Sequence, residues 1–221
     1  MPSTIHSLPI LYSLQNCPYA IRARFTLFRT KQKVQIRAVK LNNKPNEMLI
    51  ASPKGSVPVL VINEEFILHE SLDIMMWALE HTNSQLLLKH DTAQDKAMLL
   101  TLIEDFDAQF IPALEAYCCA KRYHEDNLEN FRHACETHLQ QLEIRLSMHT
   151  FLLSNNESLL DIALFPFIRK FARVERKWYL QSPYPMLRQW LDNYLQSPTF
   201  TKVMAKHELW QENNKVIYFA G

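Results

Sequence analysis

Cys17 is followed directly by Pro18, and the pair separates an apolar run, Ile10 to Leu14, from an amphipathic one. Proline suits the first position of a helix, because its missing N–H has no partner to lose there. Cys17 then falls at the helix cap, against unpaired N–H groups and the positive end of the helix dipole. Such a setting lowers a thiol pKa from about 8.5 towards roughly 3.5–7.5. Arg22 and Arg24 follow one to two turns on and would add to the field. A thiolate at neutral pH is a nucleophile and a redox centre. Position 20 is Ala, so no resolving cysteine follows, and an external thiol must complete any turnover. The other reading of Cys17 is an inert cysteine at a strand end.

Two further groups of residues carry polar chemistry. Gly55-Ser56-Val57-Pro58 precedes an apolar run beginning at Val59. An X-Pro bond entered from a glycine turn suits a cis peptide, and would leave the Val57 N–H and C=O for an extended ligand. A plain trans proline at a strand start is the alternative. Glu70-Ser71 opens a helical run, and a helix start with these side chains can hold an anion. Ser71 as a simple cap is the alternative there.

Composition removes many other chemistries. The chain has 221 residues and 2 Gly, and one of these is Gly221. Gly55 is thus the only interior glycine, so no G-x-G-x-x-G loop, Walker loop or G-x-S-x-G elbow can exist. A net charge of +1 offers no general field for nucleic acid. No apolar stretch spans a bilayer, and Met1 to Leu8 has no signal-peptide pattern. The four cysteines, Cys17, Cys118, Cys119 and Cys135, form no C-x-x-C and no disulfide framework. The expectation is a reduced, cytoplasmic protein. His124, His133, His138 and His149 do not fall on adjacent helical turns, so no metal is expected.

The elements that must position these residues change character along the chain. Ile10 to Leu14 reads as a buried strand, and Ile21, Phe25 and Phe28 as a helix face. Val34, Ile36 and Ala38 alternate with Gln35 and Arg37, as in a strand. Asn42 to Ser52 allows at most a short helix. Val59 to Ile62 and Phe66 to Leu68 read as a hairpin, and Leu72, Met75 and Leu79 as a helix face. The order β-α-β-α-β-β-α implies a mixed sheet.

From about residue 90 the periodicity is helical throughout. Leu99, Ile103, Phe106 and Phe110 form one stripe, which Pro112 is expected to end or kink. Phe131, Cys135, His138, Leu142 and Leu146 form a second stripe, in which Cys135 and His138 read as core. Leu160 to Phe171 is apolar almost all round and predicts a central buried helix. Ser158 and Asp161 at its start form a capping box, with Asp in place of Glu.

Cys17-Pro18-Tyr19-Ala20, Gly55-Ser56-Val57-Pro58 and Glu70-Ser71, in this order and spacing, resemble the thioredoxin-like half of the glutathione S-transferases. Ser158-Leu159-Leu160-Asp161-Ile162-Ala163 is similar to the capping motif of that family's central helix, and the resemblance covers nearly the whole chain. Cysteine in place of a catalytic Tyr or Ser, with Leu41-Asn42-Asn43-Lys44-Pro45 downstream, is most similar to the cysteine-type, omega-like class. The resemblance implies a thioredoxin-like domain over 1–82 with a mixed four-stranded sheet, a linker over 83–92 and an all-helical domain over 93–221.

It also implies glutathione as co-substrate, no metal and a homodimer. Cys17 would face the glutathione sulfur and form a mixed disulfide. Val57, beside Pro58, would hold the cysteinyl part through main-chain bonds. Glu70 and Ser71 would hold the γ-glutamyl end, and Lys44 the glycyl carboxylate. Phe110, Tyr117 and Trp178 are proposed for a second-substrate wall, with a core role as the alternative. The activity implied is a redox one, a glutathione-dependent thiol transferase or reductase. Conjugation of glutathione to small electrophiles, a detoxification chemistry with Cys17, Tyr12 or Ser13 placing the sulfur, is one alternative. A non-catalytic stress-related interaction protein on the same fold is another.

Overall fold

A computed structural model describes residues 8–82 and 93–220. The chain divides into two compact units: residues 1–84 with 198–221, and residues 85–197. The linker expected over 83–92 lies outside the described residues.

The first unit is built on strands β1 (Ile10–Ser13), β2 (Val34–Ala38), β3 (Val59–Val61), β4 (Ile67–Leu68) and β5 (Ile217–Phe219). They lie in the order β4-β3-β1-β2-β5. β1 and β2 are parallel, and every other pair is antiparallel. The sheet is mixed, as its order of elements requires, but it has five strands where four were expected. The fifth comes from the far end of the chain. Val34 pairs with Phe219 and Ile36 with Ile217, so the edge of β2 is covered. Residues 198–221 therefore group with this unit and not with the helical one.

Helix α1 (Pro18–Arg29) crosses between β1 and β2, and α3 (Ser71–Glu80) packs against it. Leu11 stands opposite both Ile36 and Leu60, so these three form one row across the sheet. All are buried, at about 2 kcal/mol each for a side chain of this size. On the opposite face Tyr12, Val39, Met48, Val57 and Val59 form a cluster with Leu14 and Cys17 packed against it. Met48 belongs to the short helix α2 (Asn46–Ala51). With glycine so scarce, α1 ends on a lysine: Lys31 has φ of 57°, and the Gln32 and Lys31 N–H groups donate to Leu27 and Phe28.

The second unit is helical among its described residues. Helices α4 (Ala93–Tyr123), α5 (Leu128–Met148), α6 (Leu159–Val174), α7 (Arg176–Gln181) and α8 (Pro185–Leu195) make it up. α4 runs through Pro112 without ending there. A proline removes one helical hydrogen bond. Packing of α4 against both α5 and α6 offsets that loss. α6 is the buried central helix, and it carries Pro166 inside it in the same way.

At the start of α6 the Asp161 carboxylate is fully buried and meets four donors. Ser158 N–H (3.0 Å) and Ser158 Oγ (2.6 Å) donate to Oδ2, while Leu152 N–H (2.9 Å) and Trp190 Nε1 (3.1 Å) donate to Oδ1. The capping box is present, and it also ties in α8 and the segment before α6. Burial pushes the Asp161 carboxyl pKa up by more than these donors pull it down. The remaining helices, α9 (Pro198–Val203) and α10 (Trp210–Asn213), belong to the first unit.

Candidate functional site

The site starts from the end of β1. Ser13 closes the strand, Leu14 to Asn16 turn, and Cys17 takes the cap position of α1 with an extended backbone. Pro18 is the first helical residue, and the Cys17 carbonyl accepts from Ile21 N–H at 2.9 Å. The Cys17 thiol is half-buried and lies 3.7 Å from the Val57 carbonyl, to which it donates. A thiol can make this bond and a thiolate cannot, so ionisation must release the sulfur from Val57. The other cysteines differ. Burial pushes the Cys118 thiol up, and that of Cys135 up to about 12, while Cys135 lies in the helical core.

Val57 precedes β3, and the Val57–Pro58 peptide is cis. Gly55 has φ of +62°, a backbone that only glycine adopts without strain. Its Cα faces α2: a Cβ there would lie 3.1 Å from Lys44 Nζ and 3.3 Å from Leu49 Cδ2. Lys44 therefore stands beside the turn that carries Val57. Glu70 caps α3 with extended backbone, and Ser71 is its first helical residue. Cys17 with Val57, Lys44 with Gly55, and Glu70 with Ser71 are thus three neighbouring pairs within one unit.

Several partners were not foreseen. Lys54 pairs with the Glu70 carboxylate, and both side chains are exposed. Nothing local marks the pair, since 16 residues separate them and only the fold brings them together. His69 Nδ1 lies 3.0 Å from Ser52 Oγ in the same region.

The two arginines expected to strengthen the field at Cys17 are turned to other tasks. Arg22 Nε donates to Ser71 Oγ at 2.9 Å. Arg24 donates to Ser13 Oγ, to the carbonyls of Leu14 (3.1 Å) and Gln15 (2.7 Å), and to the Val203 carbonyl (3.1 Å). Arg24 thus ties the turn that carries Cys17 to the C-terminal segment. Its helical position was readable, but its partners are set by tertiary packing.

Tyr12 and Ser13 are also engaged. The Tyr12 hydroxyl accepts from Arg37 Nη1 at 2.7 Å, and burial pushes its pKa up despite that cation. Ser13 is buried against Arg24.

In the helical unit Phe110 and Tyr117 are fully buried. Phe110 stacks on Phe106 at 4.6 Å, and the Tyr117 hydroxyl donates to Glu175 at 2.7 Å. Trp178 is half-buried beneath the Arg132 guanidinium, 4.5 Å from its ring centre. Phe110 and Tyr117 thus serve the core, and Trp178 stays partly open to solvent. No group of His, Cys, Asp and Glu among the described residues is arranged to hold a metal ion. No described helix is long and apolar enough to cross a membrane.

Residues 11–85 match the family model of the glutathione S-transferase N-terminal domain, and residues 125–193 that of the C-terminal domain. The chain is 27% identical over 200 residues to mouse (Mus musculus) glutathione S-transferase omega-1, covering 90% of this chain and 80% of that one. It is 24% identical over 205 residues to human (Homo sapiens) glutathione S-transferase omega-2, covering 91% and 82%. Among solved structures, a glutathione transferase family member from Pseudomonas fluorescens with two glutathione bound superposes with a TM-score of 0.76. That match is at 19% identity and covers 92% of this chain and 95% of the other. A cysteine at the start of α1, the Val57 turn, the Glu70-Ser71 helix start and both matched domains place this chain in the glutathione S-transferase superfamily, as an omega-like member.

Proposed function

We propose that this protein is a glutathione-dependent thiol transferase that works through a mixed disulfide on Cys17. The observation that carries the reading is the Cys17 sulfur at the cap of α1, 3.7 Å from the Val57 carbonyl. An extended cysteinyl backbone laid along Val57 brings a glutathione sulfur to that place. Lys44 supplies a cation for the glycyl carboxylate. The Glu70 carboxylate has two oxygens, of which Oε1 faces Lys54, and the other is available to the γ-glutamyl ammonium.

The chemistry is two thiol–disulfide exchanges. The Cys17 thiolate attacks the glutathionyl sulfur of a mixed disulfide. A Cys17–glutathione bond forms, the original S–S bond breaks, and the substrate leaves as a thiolate that takes up a proton. A second glutathione thiolate then attacks the same glutathionyl sulfur. Glutathione disulfide leaves and the Cys17 thiolate is restored. The substrate sulfur is reduced to a thiol, and the one incoming glutathione is oxidised as it joins the glutathionyl unit in glutathione disulfide. The helix start favours the anionic sulfur in both steps. Tyr12 and Ser13 accept from Arg37 and Arg24 and lie on β1, whereas Cys17 stands at the cap of α1. A homodimer, the usual assembly of the family, is part of this reading.

Cys17→Ala should abolish reduction of glutathione mixed disulfides, and the isolated wild-type protein treated with glutathione disulfide should gain one glutathionyl mass that a reductant removes. Full activity retained in Cys17→Ala would reject the mechanism, and a wild-type protein that forms no such adduct would favour conjugation.

A further inference from the structure

Arg22 and Ser71 come from different helices and are both buried, at 3% and 2% exposure. Arg22 Nε donates to Ser71 Oγ at 2.9 Å, and the Arg22 guanidinium also lies 5.3 Å from the ring of Tyr19, in the first turn of α1 two residues after Cys17. A serine hydroxyl has one proton and two acceptor sites, and a guanidinium in a protein always donates and never accepts. The Arg22 bond therefore fills an acceptor site on Ser71 and leaves the serine proton to be given elsewhere. Two buried hydroxyls of the neighbouring helix α1 and its end spend theirs within the helix. Thr26 donates to the Arg22 carbonyl at 3.0 Å, and Thr30 to the Thr26 carbonyl at 2.9 Å. Ser71 is the first residue of α3, so no preceding helical turn offers it a carbonyl. Among the described residues its hydroxyl accepts from Arg22 and makes no other hydrogen bond.

We propose that Arg22 is a positioning residue which holds the Ser71 hydroxyl as a donor towards the α-carboxylate of the γ-glutamyl group. The proposal rests on the glutathione reading above. A cation donating to the hydroxyl oxygen makes the O–H a stronger donor, because hydrogen bonds in a chain polarise one another. The same N-terminal turn of α3 offers N–H groups to that carboxylate. Arg22 touches no substrate in this scheme. It acts through Ser71, and it ties the recognition of the γ-glutamyl end to the helix whose cap is Cys17.

Three ligands separate this role from a structural one. They are glutathione, its 4-aminobutyryl analogue without the α-carboxylate, and its glutaryl analogue without the α-amine. Arg22→Met should raise the Kd for glutathione and for the glutaryl analogue roughly tenfold, the effect of one charge-assisted hydrogen bond. It should leave the 4-aminobutyryl analogue within about twofold by the same reckoning. In a Ser71→Ala background, Arg22→Met should add nothing to the loss with glutathione, and in turnover KM should rise with kcat unchanged. Equal losses for all three ligands, or losses that multiply in the double variant, would overturn the proposal. If Arg22→Met does not fold, Arg22→Lys keeps the charge without the Nε donor, and the same selective loss or a uniform one decides the matter. Wild-type protein that binds none of the three would overturn the glutathione reading itself, and this proposal with it. Wild-type binding with a uniform loss in the variants overturns this proposal alone.

Discussion

Gly55 faces Lys44 across the turn that presents Val57: a Cβ at position 55 would lie 3.1 Å from Lys44 Nζ. Two effects follow from one atom. Any L-residue is strained at φ of +62°, and a side chain there pushes the lysine away.

Gly55→Ala should lower stability by about 1–2 kcal/mol, the strain of a left-handed backbone, since Lys44 and Leu49 can swing aside. Denaturant unfolding measures this directly. Glutathione binding, read by titration, should weaken several-fold in addition, because Lys44 and Val57 both depend on this turn. Unchanged stability would mean that the turn does not hold Gly55 in that conformation.

Asp161→Asn should destabilise the helical unit by about 2–4 kcal/mol. The amide has one acceptor oxygen where the carboxylate offers two, so donors on one side face an N–H₂ group. Leu152 N–H, Ser158 N–H and Trp190 Nε1 compete for what remains. Urea unfolding followed by tryptophan fluorescence would report the loss, and a loss under about 0.5 kcal/mol would show that the cap contributes little.

Stability of the helical unit should fall with acid partly through Glu175. Burial alone would raise its carboxyl pKa, but the Tyr117 hydroxyl and the Arg132 guanidinium, at 2.7 and 2.8 Å, outweigh it and hold the value below the usual 4.5. A depressed folded value means that the stabilisation is present above 4.5 and is lost as pH drops below it through the folded pKa. Glu175→Gln should therefore lose about 2 kcal/mol at neutral pH and show a shallower decline in acid. An acid limb of unchanged slope would exclude Glu175 as a contributor.

Features that depend on a few consecutive residues were legible in the sequence. Pro18 after Cys17 marks where α1 begins, because a first-turn position loses no hydrogen bond to the missing N–H. The lone interior glycine marks the one turn held at positive φ by a glycine. Ser158 and Asp161, three residues apart, announce the start of α6. The change from alternating strands and helices to helical stripes announces the two kinds of unit. Each of these signals is local, so it acts on the chain before tertiary contacts form.

Other features lie at distances that no local pattern encodes. Ile217–Phe219 is three residues long, too short for a period to show, and only pairing with β2 makes it a strand. Pro112 disrupts a helix in isolation, yet packing on two sides carries α4 through it. Arg22 and Arg24 share one short motif and face different partners. Arg22 reaches Ser71 on α3, and Arg24 gathers the Ser13 to Gln15 turn together with Val203. The residue types that carry the chemistry are thus a property of the sequence. Their hydrogen-bond partners are a property of the fold, because a long side chain bonds whatever acceptor packing brings within about 3 Å.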